Sequence, residues 1–143
     1  MLLVADTFDK IDIDKLMSVY KEASAENANY LYPEILNREE GDEYKSALRI
    51  SEIEKRLFYL EALETSPNYR KKGYAVKLLN LTNEYLKREG SFTVKDSVKK
   101  TNEASIKAHQ KAGFVIESQK AFNYLKKNYD NDNYGMSYNY TED

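Results

Sequence analysis

Leu63-Glu64-Thr65-Ser66-Pro67-Asn68-Tyr69-Arg70-Lys71-Lys72-Gly73-Tyr74-Ala75-Val76-Lys77-Leu78-Leu79 reads as the end of a buried strand, a polar turn and the start of an amphipathic helix. Just before it, Leu57-Phe58-Tyr59-Leu60-Glu61-Ala62-Leu63 is short, apolar and rich in aromatic residues, which suits a central strand. Pro67 stops that strand, because it has no amide to give to a sheet ladder. Gly73 lets the backbone come close to a ligand where the helix begins. From Ala75 on, Leu78, Leu79, Thr82, Tyr85 and Leu86 recur at helical spacing, and Gly90 fits the left-handed position that ends a helix. The first turn of this helix leaves backbone amides without partners at the positive end of the dipole, beside Arg70, Lys71 and Lys72. That combination receives a phosphate group. Arg-Lys-Lys-Gly taken alone is equally a solvated basic turn; the strand before it and the helix after it favour anion binding.

At 143 residues the chain reads as one domain, long enough to bury about two-thirds of its unfolded surface. No apolar run approaches the ~18 residues needed to cross a membrane, and Met1-Leu2-Leu3-Val4-Ala5-Asp6 turns acidic too early for a signal peptide. A cytoplasmic protein without membrane partners is expected. There is no cysteine, which excludes disulfides, thiolate catalysis and thiolate metal sites, and the single histidine, His109, excludes a histidine-rich zinc site. No metal is expected. The net charge of −2 is unevenly spread. Residues 1–65 hold 8 Lys/Arg against 15 Asp/Glu, residues 66–128 hold 14 against 5, and residues 129–143 hold 4 acids and no Lys or Arg. A basic middle in an acidic protein points to a local polyanion site, and the overall pI near 5.6 argues against a nucleic-acid surface.

Along the chain, Leu2-Leu3-Val4-Ala5 is expected as an edge strand. Asp12 or Asp14 caps a helix running to about Asn27, with Leu16, Met17, Tyr20 and Ala23 on one face. Asn29 to Asp42 reads as loop. Glu43 to Ile50 alternates as a half-exposed strand, the favoured reading over a helix running through Glu54, followed by a turn at Ser51–Lys55 and a hairpin into the central strand. Ser91 to Val98 alternates Phe92, Val94 and Val98 with polar residues, so strand, helix and strand form one crossover unit with a parallel pair. Thr101 or Asn102 caps a helix to Ala112, closed by Gly113. Phe114 to Ser118 is a strand that Ala121–Leu125 extends past a bulge, Lys126–Asn133 is a polar loop, and Gly135 to Tyr140 is the last strand. The fold class expected is α/β (α+β): a mixed, mostly antiparallel sheet with a central parallel pair flanked by helices.

A second motif lies in Asn102-Glu103-Ala104-Ser105-Ile106-Lys107-Ala108-His109-Gln110-Lys111-Ala112-Gly113-Phe114. Asn102, Ser105 and His109 are three and four residues apart, so they stack on one helix face. A lone histidine there is equally a packed helix residue with a hydrogen-bond partner, and Asn102 equally a simple cap. The segment resembles the Asn-x-x-Ala/Ser-x-x-x-Tyr/His-x-x-x-Gly-Phe signature of the GNAT superfamily, the acetyl-CoA-dependent N-acetyltransferases. Arg70-Lys71-Lys72-Gly73-Tyr74-Ala75 resembles the family's Arg/Gln-x-x-Gly-x-Gly/Ala signature, and Pro67-Asn68-Tyr69-Arg70 its usual Pro-x-Tyr-Arg approach.

The resemblance covers Leu57 to Phe114 and implies direct transfer of acetyl from acetyl-CoA, as co-substrate, to a primary amine of a small molecule or protein. It implies that the amides of Arg70, Lys71, Lys72, Gly73, Tyr74 and Ala75 hold the CoA diphosphate. It also places the thioester carbonyl against amides around Leu63, Glu64 and Thr65, which stabilise the oxyanion. Asn102, with Ser105 beside it, then holds the pantetheine arm, and His109 stands where a tyrosine usually protonates the departing thiolate. The amine must lose a proton to a base. Glu61 and Glu64 lie on opposite faces of a regular strand, and Glu61 shares its face with Leu63 and Thr65. Glu61 is the preferred base, since an apolar strand makes a buried carboxyl a better proton acceptor; pairing of either glutamate with Arg49 or Arg56 is the competing role. Family members carry a second helix and a further strand where Asn27 to Glu43 is too short for both. A CoA-binding module without catalysis is the alternative function, and a nucleotide-binding domain is disfavoured because no Gly-x-x-x-x-Gly-Lys-Ser/Thr sequence occurs. The Tyr-rich ends offer a homodimer surface or an acceptor pocket, with ordinary packing as the plainer role.

Overall fold

The computed structural model describes residues 2–21 and 43–142. The expected helix beyond Lys21, the loop Asn29–Asp42 and the shortened stretch between Asn27 and Glu43 lie outside the described residues. Leu2–Ala5 forms no strand: Leu3 and Val4 are 49% and 51% exposed, so no buried face holds the segment in a ladder. Asp12 is the cap of helix α1 (Ile13–Val19), its side chain accepting from the Lys15 amide at 3.1 Å.

Five strands build the sheet: β1 (Ser46–Glu54), β2 (Leu57–Thr65), β3 (Phe92–Lys99), β4 (Val115–Ser118) and β7 (Asn133–Tyr140). Their order is β1-β2-β3-β7-β4. Only β2 and β3 run parallel; the other pairs are antiparallel. Helix α2 (Tyr74–Lys87) connects β2 to β3, and α3 (Glu103–Lys111) connects β3 to β4. The main core joins Phe58, Leu60, Leu79, Leu86, Val94, Val98 and Met136. Each such side chain stabilises the fold by about 1.5–3 kcal/mol when fully buried. Leu48 and Ile50 of β1 pack on this core, while Ala47 packs on a second cluster with Val19, Tyr20 and Ala62. Adjacent residues of a strand point to opposite faces, so α1 lies on one face of the sheet and α2 on the other.

Several boundaries differ from expectation. β1 runs through Glu54, where a turn at Ser51–Lys55 was expected, because the hairpin bend sits at Arg56, whose φ is 62°. Arg56 also clamps the end of α2: its guanidinium donates to the carbonyls of Leu86 at 2.6 Å, Gly90 at 3.2 Å and Ser91 at 3.1 Å. Tyr85 is 41% exposed and lies off the buried face, which Leu79, Thr82, Asn83 and Leu86 form instead. Ala121–Asn123 does not extend β4. It is β5, pairing with β6 (Asn128–Asp130) in a separate hairpin, so the expected loop Lys126–Asn133 contains a strand. The hairpin docks on the sheet through Tyr124, whose ring lies 5.5 Å from that of Tyr59. Among the described residues no helix is long and apolar enough to cross a membrane.

Candidate active site

The parallel ladder between β2 and β3 runs from Leu57–Thr93 to Leu60–Asp96 and stops. Both strands continue, but with other partners: β2 pairs with β1 as far as Thr65–Ser46, and β3 with β7 as far as Lys99–Asn133. The two strands therefore fork beyond Leu60 and Asp96. On the β3 side, the main-chain groups of Glu61 to Thr65 belong to no ladder.

The fork begins at a bulge. Arg49 faces Glu61 and Ala47 faces Glu64, so Leu48 alone faces both Ala62 and Leu63. Ala62 takes the extra turn with φ 57°, a left-handed conformation that costs a residue with a β-carbon about 1–2 kcal/mol. Tyr20, the residue that ends α1, donates its hydroxyl to the Ala62 carbonyl. Burial raises the Tyr20 pKa far above its ordinary value, and the carboxylates of Glu64 and Glu61 raise it further, so the hydroxyl stays a donor. The bulge corrects the expected alternation: Leu63 packs on the main core, while Glu61 and Glu64 both act on Tyr20.

Glu61 is 7% exposed, and neither carboxyl oxygen has a hydrogen-bond partner among the described residues. The nearest cation is Arg49 on the facing strand, Nε to Oε1 at 3.8 Å, an ion-pair distance longer than a hydrogen bond. The competing role for Glu61 is thus present in a loose form. The Glu64 carbonyl accepts from Ser46 Oγ at 2.7 Å, and the Thr65 hydroxyl lies 3.2 Å from the same atom.

After β2, Pro67–Tyr69 makes a single turn of 3₁₀ helix, and the chain enters α2 through two left-handed residues, Lys71 (φ 62°) and Gly73 (φ 82°). No side chain caps α2, and a β-carbon built on Gly73 meets nothing within 4 Å. Arg70, Lys71 and Lys72 are all exposed. Tyr69 and Tyr74 meet edge to face at 5.8 Å, and Lys45 Nζ stands over both rings at 5.7 and 5.3 Å. Lys45 adds a fourth cation that sequence spacing could not place, because it comes from the lead-in to β1. The loop thus pairs open space, uncapped amides and positive charge, which suits a diphosphate.

On α3 the polar stripe is satisfied within the protein. Asn102 caps the helix, accepting from the Ser105 amide at 3.1 Å. His109 is 1% exposed; its Nδ1 donates to the Ser105 carbonyl at 2.8 Å, and its Nε2 lies 2.5 Å from Asp96 Oδ2. Since a carbonyl only accepts, Nδ1 carries a hydrogen. A second proton must then sit between Nε2 and Asp96, or two lone pairs would face each other. Burial raises the Asp96 pKa; on His109 burial acts downward, but Asp96 and the Ser105 carbonyl together raise it on balance. Both directions express the same shared proton. Both ring nitrogens of His109 are thus engaged inside the fold, as in the packed-residue role that the sequence allows beside the acid role. Asp96 was legible as an anomaly: it stands in the inward register of Phe92, Val94 and Val98.

The model of the Acetyltransferase (GNAT) family matches residues 4–114. No curated protein matches the chain. Among solved structures, it is similar to the ribosomal-protein-S18-alanine N-acetyltransferase from Escherichia coli, with TM-score 0.66 and 17% identity over 92% of this chain and 90% of that one. A Bacillus subtilis acetyltransferase in complex with CoA aligns over 97% of both chains with TM-score 0.62 and 14% identity. A GNAT-family acetyltransferase from Bacillus anthracis gives TM-score 0.54 and 16% identity over 68% of this chain; the alignment spans 59% of that protein's length.

Proposed function

The chain belongs to the GNAT acetyltransferase family, and from that premise we propose how its fork and loop transfer an acetyl group from acetyl-CoA to a primary amine of a small molecule or a protein. The observation that carries the proposal is the end of the β2–β3 ladder at Leu60–Asp96, which leaves a bulged strand edge next to an uncapped, cation-rich helix start. Arg70, Lys71, Lys72 and the amides of Gly73, Tyr74 and Ala75 hold the diphosphate, with Lys45 adding charge. The amides of Leu63 and Thr65 on the open edge of β2 receive the thioester carbonyl. That of Glu64 turns to β1, in register with the Ser66 amide that donates to the Lys45 carbonyl, so Glu64 serves only as part of the strand between them. Bound there, acetyl-CoA supplies an activated acyl group with a thiol as leaving group. Asn102 and Ser105 lie at the start of α3, within the second signature, and support the pantetheine arm.

Glu61 is the base. Its carboxyl is buried at the fork with neither oxygen hydrogen-bonded among the described residues, so its lone pairs are open to the proton of an amine held there. The neutral amine adds to the carbonyl carbon, and the oxyanion so formed collapses with cleavage of the carbon–sulfur bond. The proton in excess on nitrogen passes to Glu61, and the departing thiolate takes a proton from solvent. A thiol has an ordinary pKa of about 8.5, so a buried acid is not required. His109 acts at a distance, by holding α3 to β3 through Asp96. The chain works as one domain, since residues 115–140 complete the sheet that the family match begins. Thiol release from acetyl-CoA with a panel of amines, with mass analysis of the acceptor, tests the proposal. A gain of one acetyl group is expected; firm CoA binding with no thiol release on any amine would leave only a binding module.

A further inference from the structure

We infer that Tyr20 is a positioning residue for acetyl transfer: its hydroxyl, reaching from α1 to the Ala62 carbonyl, sets the direction of the Leu63 amide. The inference rests on the proposed transferase activity and adds a residue outside both sequence signatures. The Tyr20–Ala62 bond joins residues far apart in the chain inside a buried cluster with Val19. No peptide bond among the described residues is cis, and a trans peptide is planar, so its carbonyl and the next amide point in opposite directions. Holding the Ala62 carbonyl toward α1 therefore turns the Leu63 N–H away from α1. The strained φ of Ala62 makes this orientation costly to keep without a partner. The hydroxyl is suited to a permanent tether, because burial and two nearby carboxylates keep it protonated. Since its one hydrogen is given to Ala62, Tyr20 does not donate to Glu61.

Tyr20→Phe removes this hydrogen bond and little else. We expect kcat for acetyl transfer to fall about tenfold or more, somewhat less than deletion of an oxyanion donor causes. The dissociation constant for CoA and the KM for the amine should stay within about twofold, since neither depends on the Leu63 amide. Val19→Ala is the control: it loosens the same cluster but keeps the hydroxyl, and should lower the melting temperature while leaving kcat unchanged. An unchanged kcat in Tyr20→Phe, or an equal loss in Val19→Ala, overturns the inference. If the wild type turns over no amine, the proposed function fails on its own, and the Tyr20 inference is decided by amide resonances of the unliganded protein. A shifted Leu63 amide in Tyr20→Phe with an unmoved Leu60 amide then supports it, and an unmoved Leu63 amide overturns it.

Discussion

Replacing His109 with Phe should cost stability in a way that depends on pH, and the size follows from the proton that His109 shares with Asp96. In the variant Asp96 stays buried among apolar side chains with no basic partner, so it must take up a proton to remain folded. An unfolded aspartate has a pKa of about 3.9; holding it neutral near pH 7 costs about 3 units at about 1.4 kcal/mol each, or about 4 kcal/mol. That agrees with the 3–5 kcal/mol typical of removing one partner of a buried pair. A raised folded pKa contributes stability that is present at low pH and lost as pH rises. The variant should therefore regain about 2.7 kcal/mol between about pH 7 and pH 5. The wild-type pair moves in the same direction but less. Its raised His109 pKa gives stability that is complete below the unfolded value of about 6.5 and is lost as pH rises through the folded value, so little of it goes by pH 7. The penalty of His109→Phe should thus shrink by about 2 kcal/mol on going from pH 7 to pH 5. Urea unfolding with linear extrapolation at both pH values measures it. An equal penalty at the two pH values refutes the shared proton. The double variant Asp96→Leu/His109→Phe should be close to wild type in stability and flat with pH, since an apolar pair often replaces a buried ionic one without loss.

Other sites make separate predictions. Gly73→Glu should abolish CoA binding, measured by calorimetry, while unfolding costs change by only about 1–2 kcal/mol for a left-handed residue with a β-carbon; unchanged affinity would contradict the loop assignment. Neutralising Arg70, Lys71 and Lys72 to Ala should weaken CoA binding and flatten its dependence on salt; an unaltered salt slope would move the diphosphate elsewhere. Glu61→Gln should cut kcat by a factor of about 10²–10⁴ with CoA affinity retained; a smaller loss, within twofold, would return Glu61 to the role of a partner for Arg49.

The central unit was legible because its chemistry is local. Pro67, Gly73, Gly90 and Gly113 punctuate the chain where the elements end, and apolar periodicity marks β2, α2 and β3 between them. The parallel pair was expected from the strand, helix and strand in sequence, but the bulge at which it forks was not. No glycine announces it, and Ala62 holds a left-handed φ only because Tyr20 and the facing strand impose it. For that reason the two-residue alternation misplaced Glu61 relative to Leu63. The hairpin of β5 and β6 was missed for a similar reason: each strand has three residues and is held by aromatic contacts across the chain, such as Phe122 with Tyr129 at 5.1 Å. For His109 the sequence leaves two roles open, acid or packed helix residue, because its partner is an acid on another strand, visible in the sequence only as one polar break in an apolar register.

A fork in a sheet needs forces to keep it open, because two adjacent strands gain from each ladder bond they complete. Those forces come from opposite faces here. Tyr20 reaches from α1 to Ala62, two residues beyond the last rung on β2; His109 reaches from α3 to Asp96, on the last rung of β3. Each bond carries about 0.5–1.5 kcal/mol when neutral and more when charged, comparable with the ladder bonds the fork gives up. One prong is thus fixed by a hydroxyl that never loses its proton, the other by a proton that leaves as pH rises. The separation of the prongs should respond to pH only on the β3 side. Hydrogen exchange at the Ser97 and Val98 amides should therefore quicken, relative to Leu60, as pH passes above the folded His109 value, after correction for intrinsic exchange. If Leu63 and Val98 were instead to loosen together, the two tethers would be parts of one cooperative unit, and the independence assigned to them would fail.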